Sequence, residues 1–243
     1  FTFPPSSTVS NTEPPRSRKE RALELLRTNR LEEARALCEE VARTENNAGA
    51  WYLLGVIHGK LGDFTSTERC SKTAIQVRPD YVDAHVSLGI AQRKQGRIDD
   101  SISSFREAIR LQSDHAEAHF QLGLALAANH QLDDAIESLR KASLLNPNHA
   151  ETQLYLGATL AASGKPEAAI EPLQQVLALD PDHAVAHVYL GNAYANLGRM
   201  ENAAASYREA LKRQPRDLET LNNLGNALSE LDRKDEAIVT YRK

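Results

Sequence analysis

The chain has 243 residues, 41% of them hydrophobic, which is long and apolar enough to bury a core. Its 29 basic and 33 acidic residues leave a formal charge of −4, so composition gives no electrostatic ground for nucleic acid or an anionic membrane as partner. No run reaches the roughly 18 apolar residues of a membrane span, and the first residues lack a signal peptide's charged start and apolar stretch; a soluble chain is the expectation.

Residues 1–15, FTFPPSSTVSNTEPP, hold four prolines among Ser and Thr and show no helical or strand period. They read as a disordered or extended tail. The chain starts at Phe1, so a processed or trimmed N-terminus is expected. Arg16, Arg18, Lys19 and Arg21, interrupted by Glu20, read as a solvated helix face. From there ERALELL and LEEARALCEEVAR space their apolar residues by three and four, the helical period. Cys38 and Cys70 fall on helices one repeat apart, about 8–10 Å between axes, beyond disulfide reach. Free thiols favour a reducing compartment, and a cytoplasmic location is the expectation.

From Ala48 the sequence repeats every 34 residues, with units starting at Ala48, Val82, Ala116, Ala150, Ala184 and Leu218. Position 8 of the unit is Gly55, Gly89, Gly123, Gly157, Gly191 and Gly225, each preceded by Leu. With 12 glycines in the chain, five further matches at a preset spacing are a coincidence on the order of 10⁻⁷. Each unit predicts two helices. The first stops near Gly62, Gly96, Gly164 or Gly198, where glycine can turn left-handed. The second carries small residues at positions 20 and 27 and ends before a proline such as Pro79, Pro147, Pro181 or Pro215. A glycine inside a helix costs about 1 kcal/mol relative to Ala, so the column of position-8 glycines implies close approach of the paired helices.

The segment AHVYLGNAYANLGRMENAAASYREALKRQP, Ala186 to Pro215, carries the sequence pattern most fully and resembles the tetratricopeptide repeat family of bacterial type. The resemblance covers residues 48–243 as six units (48–81, 82–115, 116–149, 150–183, 184–217 and a truncated 218–243), with a degenerate helix pair at 16–47. It implies an all-α superhelical solenoid of antiparallel helix pairs whose first helices line a concave groove. Thr67, Ser101 and Ser71 depart from the pattern and predict loose packing of the second helix in the first full unit; Pro172 predicts a bend. The sixth unit stops at Lys243 without a polar cap, so the native protein is expected to continue.

The family's groove positions change character along the array. Arg93 and Lys94 make a basic mouth; Phe120, Leu124 and Tyr155 an apolar waist; Tyr189, Asn192, Asn196, Asn222, Asn223 and Asn226 an amide-rich end. Asn presents both donor and acceptor and can clasp a peptide backbone of any sequence. These eleven residues are the candidate binding set, for a protein or peptide segment that is uncharged or amphipathic. The amides also resemble the repeat arm of O-linked N-acetylglucosamine transferases, which place Asn at position 6; here Asn223 alone matches. The Lys and Asn columns of a chaperone-type carboxylate clamp are missing.

No phosphate loop, nucleophile elbow or His–Cys cluster is present, so no catalytic constellation, metal or other cofactor is expected in this chain. The leading expectation is a non-catalytic interaction scaffold; the alternative is the substrate-recruiting arm of a larger enzyme, a glycosyltransferase or sulfotransferase with its catalytic domain past Lys243. Self-association through solenoid ends or through the tail is a third. His115 and His119, and again His183 and His187, stand four apart at unit starts and could share a metal, but no third ligand is evident. They read as half-buried packing residues, with Asp114 and Asn148 as helix caps.

Overall fold

A computed structural model describes residues 18–242, with side chains from Glu20. The tail at 1–15, and any docking by it, lies outside the described residues, as do Arg16 and the side chains of Arg18 and Lys19. Fourteen helices and no strand occur among the described residues. They are α1 (Arg18–Arg27), α2 (Leu31–Glu45), α3 (Ala48–Lys60), α4 (Phe64–Val77), α5 (Val82–Lys94), α6 (Ile98–Leu111) and α7 (Ala116–Ala128). The series continues with α8 (Leu132–Leu145), α9 (Ala150–Ala162), α10 (Pro166–Leu179), α11 (Ala184–Asn196), α12 (Met200–Arg213), α13 (Leu218–Glu230) and α14 (Lys234–Tyr241). None is long and apolar enough to cross a membrane.

At the starts of α3, α7, α11 and α13 a side chain satisfies the first free N–H groups. Asn47 Oδ1 accepts from the Gly49 and Ala50 amides at 2.8 and 3.2 Å, and Asp217 Oδ2 accepts from the Thr220 amide at 3.0 Å. At α7 and α11 the imidazole itself caps: His115 Nδ1 accepts from the Ala118 amide at 3.1 Å, and His183 Nδ1 from the Ala186 amide at 3.2 Å. The cap is thus one residue later than the sequence reading placed it, because Asp114 and Asn148 lie in the preceding turn.

Four residues on, a second contact ties each helix start to the turn before it. His85, His119 and His187 direct Nε2 at the carbonyl oxygens of Pro79, Ser113 and Pro181, at 2.9, 3.0 and 2.9 Å. Gln153 does the same to Pro147 at 3.2 Å. A carbonyl only accepts, so Nε2 carries the proton in each histidine. The paired histidines are therefore a cap and a tether, more than the packing residues expected from sequence. Among the described residues no group of three or more His, Cys, Asp or Glu is arranged to hold a metal.

Helix stops follow from backbone handedness. Gly62, Gly96, Gly164 and Gly198 have φ of 81, 80, 74 and 72°, the left-handed region that glycine enters without a Cβ clash. The same register point in two other units is His130 (φ 59°) and Asp232 (φ 60°), which are strained there.

The described residues divide into two compact units, parted between Ala91 and Gln92. In the first, α1 to α4 pack in succession around Ala34, Cys38, Leu54, Ile57 and Cys70. Both thiols are free and buried, and burial pushes each up to about 11. In the second, each helix from α6 to α14 packs on its chain neighbour, and α7, α9, α11 and α13 also touch one another in order. Its largest cluster centres on Leu139, Leu156, Leu160 and Leu173, with Phe120 included. Pro172 is buried within α10, which runs unbroken from Pro166 to Leu179. Within each unit, the helix packing among the described residues is between near neighbours in the chain, so stability there is a sum of local interfaces.

The position-8 glycines show what those interfaces demand. A Cβ on Gly123 would sit 2.6 Å from Leu139 Cγ, one on Gly157 2.6 Å from Leu173 Cγ, and one on Gly191 2.5 Å from the Tyr207 ring. In these three units the obstructing residue is at position 24 of the unit, on the second helix, with the position-20 carbonyl just behind at 3.3 Å in Ala135 and Ala169. Gly55 differs: its Cβ would meet Cys70 Cβ at 3.4 Å and Ser71 Oγ at 3.5 Å, ordinary contacts. Ser71 is fully buried, and its hydroxyl pairs with that of Ser87 at 3.1 Å, so the small residue leaves slack beside the glycine without leaving a bare polar group.

Two outcomes are expected in thermal and urea unfolding. Gly55→Ala is neutral or stabilising by up to about 1 kcal/mol, whereas Gly123→Ala and Gly191→Ala each lose roughly 1–3 kcal/mol; equal effects at all three would contradict the assignment of position 24 as the obstacle. His130→Gly relieves a left-handed residue and raises Tm by about 2–4 °C, as a gain near 1 kcal/mol would in a chain of this size; an unchanged or lower Tm would refute the strain.

Candidate functional site

The candidate residues on the second unit divide into those held inside the fold and those presented outward. Arg93, at the end of α5, is half-buried, and Nη2 donates to Gln121 Oε1 at 2.9 Å. Gln121 is oriented in turn by Glu117, to whose carboxylate its Nε2 donates at 2.8 Å. Burial lowers the Arg93 pKa from its ordinary value, and its Nε is buried without a partner. Lys94 is exposed to solvent.

Phe120 is only 4% exposed and lies in the core, its ring edge-on to Tyr155 at 5.9 Å and to His149 at 5.3 Å. A packed Phe120 offers little surface to a ligand; Tyr155, 40% exposed and in contact with it, carries the aromatic surface of the waist. Leu124 and Tyr189 are half-buried and pack against the same core. The waist is thus narrower than the sequence reading drew it.

The amide end is different. α11, α12 and α13 enclose an open cavity of about 480 Å³ lined by Asn192, Asn196, Asn223 and Asn226, with Met200, Tyr207 and Glu230. Asn222 is exposed but is not among the lining residues; it precedes Asn223 on α13, and one residue is a 100° step around a helix. Asn192 Oδ1 accepts from the Tyr207 hydroxyl at 2.8 Å and from Asn223 Nδ2 at 3.4 Å. Asn226 Oδ1 accepts from the Tyr241 hydroxyl at 2.7 Å. With these oxygens engaged, Asn192 and Asn226 offer their Nδ2 donors, and Asn223 its Oδ1 acceptor, to whatever enters. Burial pushes the Tyr207 phenol up to about 12, so it stays a neutral donor at physiological pH.

The two tyrosines were not in the candidate set, yet the repeat marks them. Position 9 is Val56, Ile90, Leu124 and Ala158 before it becomes Asn192 and Asn226; position 24 is Ser71, Phe105, Leu139 and Leu173 before it becomes Tyr207 and Tyr241. The two columns turn polar together in the last two units, as a hydrogen-bonded pair requires. The chemistry available is hydrogen bonding by neutral amides beside an aromatic and thioether wall, with the Glu230 carboxylate as the one charged group of the lining.

Comparison with known proteins bears on the fold that carries this arrangement. The model of the tetratricopeptide repeat family TPR_16 matches in overlapping stretches, residues 19–66, 58–116, 86–150, 120–184, 154–217 and 190–243. A comparison with curated protein sequences found no match. Among solved structures, MamA is similar with 26% identity over 68% of this chain and 97% of its own, at a TM-score of 0.62. YrrB, described as a TPR protein with an unusual peptide-binding site, shares 21% identity over 75% of this chain and 94% of its own, at 0.66. PilF of Pseudomonas aeruginosa shares 17% over 80% and 88%, at 0.69. The repeated helix pairs, the glycine seam and the family match over residues 19–243 lead to one conclusion: the chain belongs to the tetratricopeptide repeat family, with the all-α solenoid fold of that family of protein-interaction scaffolds.

Proposed function

We propose that this chain is a non-catalytic scaffold that clasps an extended, uncharged or amphipathic peptide segment along the first helices of its second unit, with the cavity between α11 and α13 as the main hold. One observation carries the reading: two asparagines at equivalent positions of successive units, Asn192 and Asn226, are each fixed by a tyrosine hydroxyl so that an N–H donor is left over. A fixed amide loses little rotamer freedom on binding, which is where a mobile surface Asn would forfeit most of its gain. Asn223 between them supplies an acceptor, so the set matches the alternating N–H and C=O groups of an extended backbone. The apolar side of the ligand would meet Met200 here and Tyr155 and Tyr189 farther along, while Arg93 and Lys94 would favour an acidic or C-terminal end.

The fold is known to serve this purpose elsewhere, since YrrB is described as carrying a peptide-binding site. The same clasp would suit the substrate-recruiting arm of a larger enzyme, and reading the gene downstream of Lys243 separates the two uses.

The test is affinity, by fluorescence anisotropy, for peptides tiled from a partner recovered by affinity capture. Asn192→Ala, Asn223→Ala and Asn226→Ala combined should weaken binding by roughly 10- to 1,000-fold, from about 0.5–1.5 kcal/mol per hydrogen bond, with helicity unchanged. Tyr207→Phe, which frees Asn192 without removing it, should weaken binding less. Wild-type affinity in the triple variant would reject this cavity as the site.

A further inference from the structure

A second cavity, of about 710 Å³, lies away from the amide end, among α6, the start of α7, α8 and Lys165 before α10. Its floor is apolar: Leu122 and Ile136 are buried at 7 and 6%, and Ile109 is half-buried. Leu144 stands beside them with 77% of its surface exposed, the most exposed of the large apolar residues described. It occupies a column, position 29 of the unit, that other units fill with Gln76, Arg110, Ala178 and Lys212. A surface column that is polar or small everywhere else has no internal use for a leucine here, and its neighbours make a recess rather than a flat patch.

The rim is cationic in a chain that is negative overall. Arg106, Arg140 and Lys141 line the cavity and make no ion pair among the described residues, whereas nearby Arg110 is paired with Glu107 at 2.7 Å. Lys165 is paired with Asp133 at 2.6 Å, which leaves Glu137 as the one other acid in the lining. Three unanswered cations around an apolar floor are complementary to a helix with an apolar stripe flanked by carboxylates.

We propose that this cavity is a second docking site, built mainly on the second helices α6 and α8, and that its occupant is an acidic amphipathic helix of a partner protein, with Leu144 as apolar anchor and Arg106, Arg140 and Lys141 as the charged clamp. An anionic membrane is the poorer occupant, because one protruding leucine above a recess gives a bilayer little to bury. The site is independent of the amide clasp, so one chain could hold two partners at once.

The test pans a phage-displayed library of helix-biased 14-residue peptides on the full chain, with Leu144→Glu as the counter-selection. Leu144 is exposed, so that variant keeps its helicity; Arg140→Glu with Lys141→Glu is the second variant and leaves the leucine in place. Enriched peptides should be net acidic, with Leu, Ile or Phe spaced by three and four. A synthetic copy, read by fluorescence anisotropy, should bind at least about tenfold more weakly to either variant and lose affinity between about 50 and 300 mM salt. It should bind the triple asparagine variant as it binds wild type. Enrichment of neutral or basic sequences, or no enrichment over Leu144→Glu, would overturn the proposal. So would Leu144-dependent self-association in light scattering, or Leu144-dependent binding to phosphatidylserine vesicles.

Discussion

Everything in this fold rests on how closely the two helices of a unit approach at one point, where a glycine at position 8 meets the residue at position 24. At Gly123, Gly157 and Gly191 there is no space for even a methyl group, because Leu139, Leu173 and Tyr207 fill it. The approach brings the small residues Ala135, Ala169 and Ala203 to full burial and lets Leu156, Leu160 and Leu190 pack inward. A glycine in mid-helix is a local loss of about 1 kcal/mol, recovered by the dispersion contacts that close packing supplies. Since each unit contacts only its neighbours, the same local solution is repeated, and its departures mark where the array does something else.

The seam also builds the candidate site. Tyr207 and Tyr241 fill the space beside Gly191 and Gly225, and their hydroxyls reach past the glycines to Asn192 and Asn226 on the next position of the first helix. In the middle units the same place holds leucine, and the first helix carries Leu124 or Ala158 instead of asparagine. Packing and the candidate site are therefore coupled: the residue that fixes the helix pair also decides whether position 9 beside the glycine can be a fixed amide. Gly55 with Ser71 shows the other departure, a seam with room to spare.

Much of this was legible in the sequence because a repeat reads itself several times. The left-handed turns at Gly62, Gly96, Gly164 and Gly198 follow from residue type alone, and the structure adds His130 and Asp232 at the same register point, where the sequence offers no glycine to announce the turn. Repeated helix pairs followed from the 34-residue spacing and its helix breakers, and the all-α solenoid from the family resemblance. The site was less legible, since exposure depends on what covers a side chain. Phe120 occupies a groove position by register, yet Tyr155 and His149 close over it. Asn222 and Asn223 are adjacent in sequence, and only Asn223 enters the amide cavity. The roles of the histidine pairs were not legible: they read as packing residues, but His115 and His183 accept from amides of the first turn of their own helices, and His119 and His187 reach carbonyls of the preceding turn, partners that no residue type in the sequence reveals.

The central claim is that positions 8 and 24 determine each other. A double-mutant cycle on one internal unit measures it directly, with Gly157→Ala, Leu173→Ala and the pair compared by urea unfolding. Leu173 is fully buried and stands against Gly157, so its truncation alone should cost about 2–5 kcal/mol. In that background the added methyl of Gly157→Ala has space, and it should become neutral or stabilising by up to about 1 kcal/mol after being costly in the wild type. A coupling of about 2 kcal/mol or more between the two substitutions is the predicted result; additivity within about 0.5 kcal/mol would contradict the seam as the organising contact of the fold.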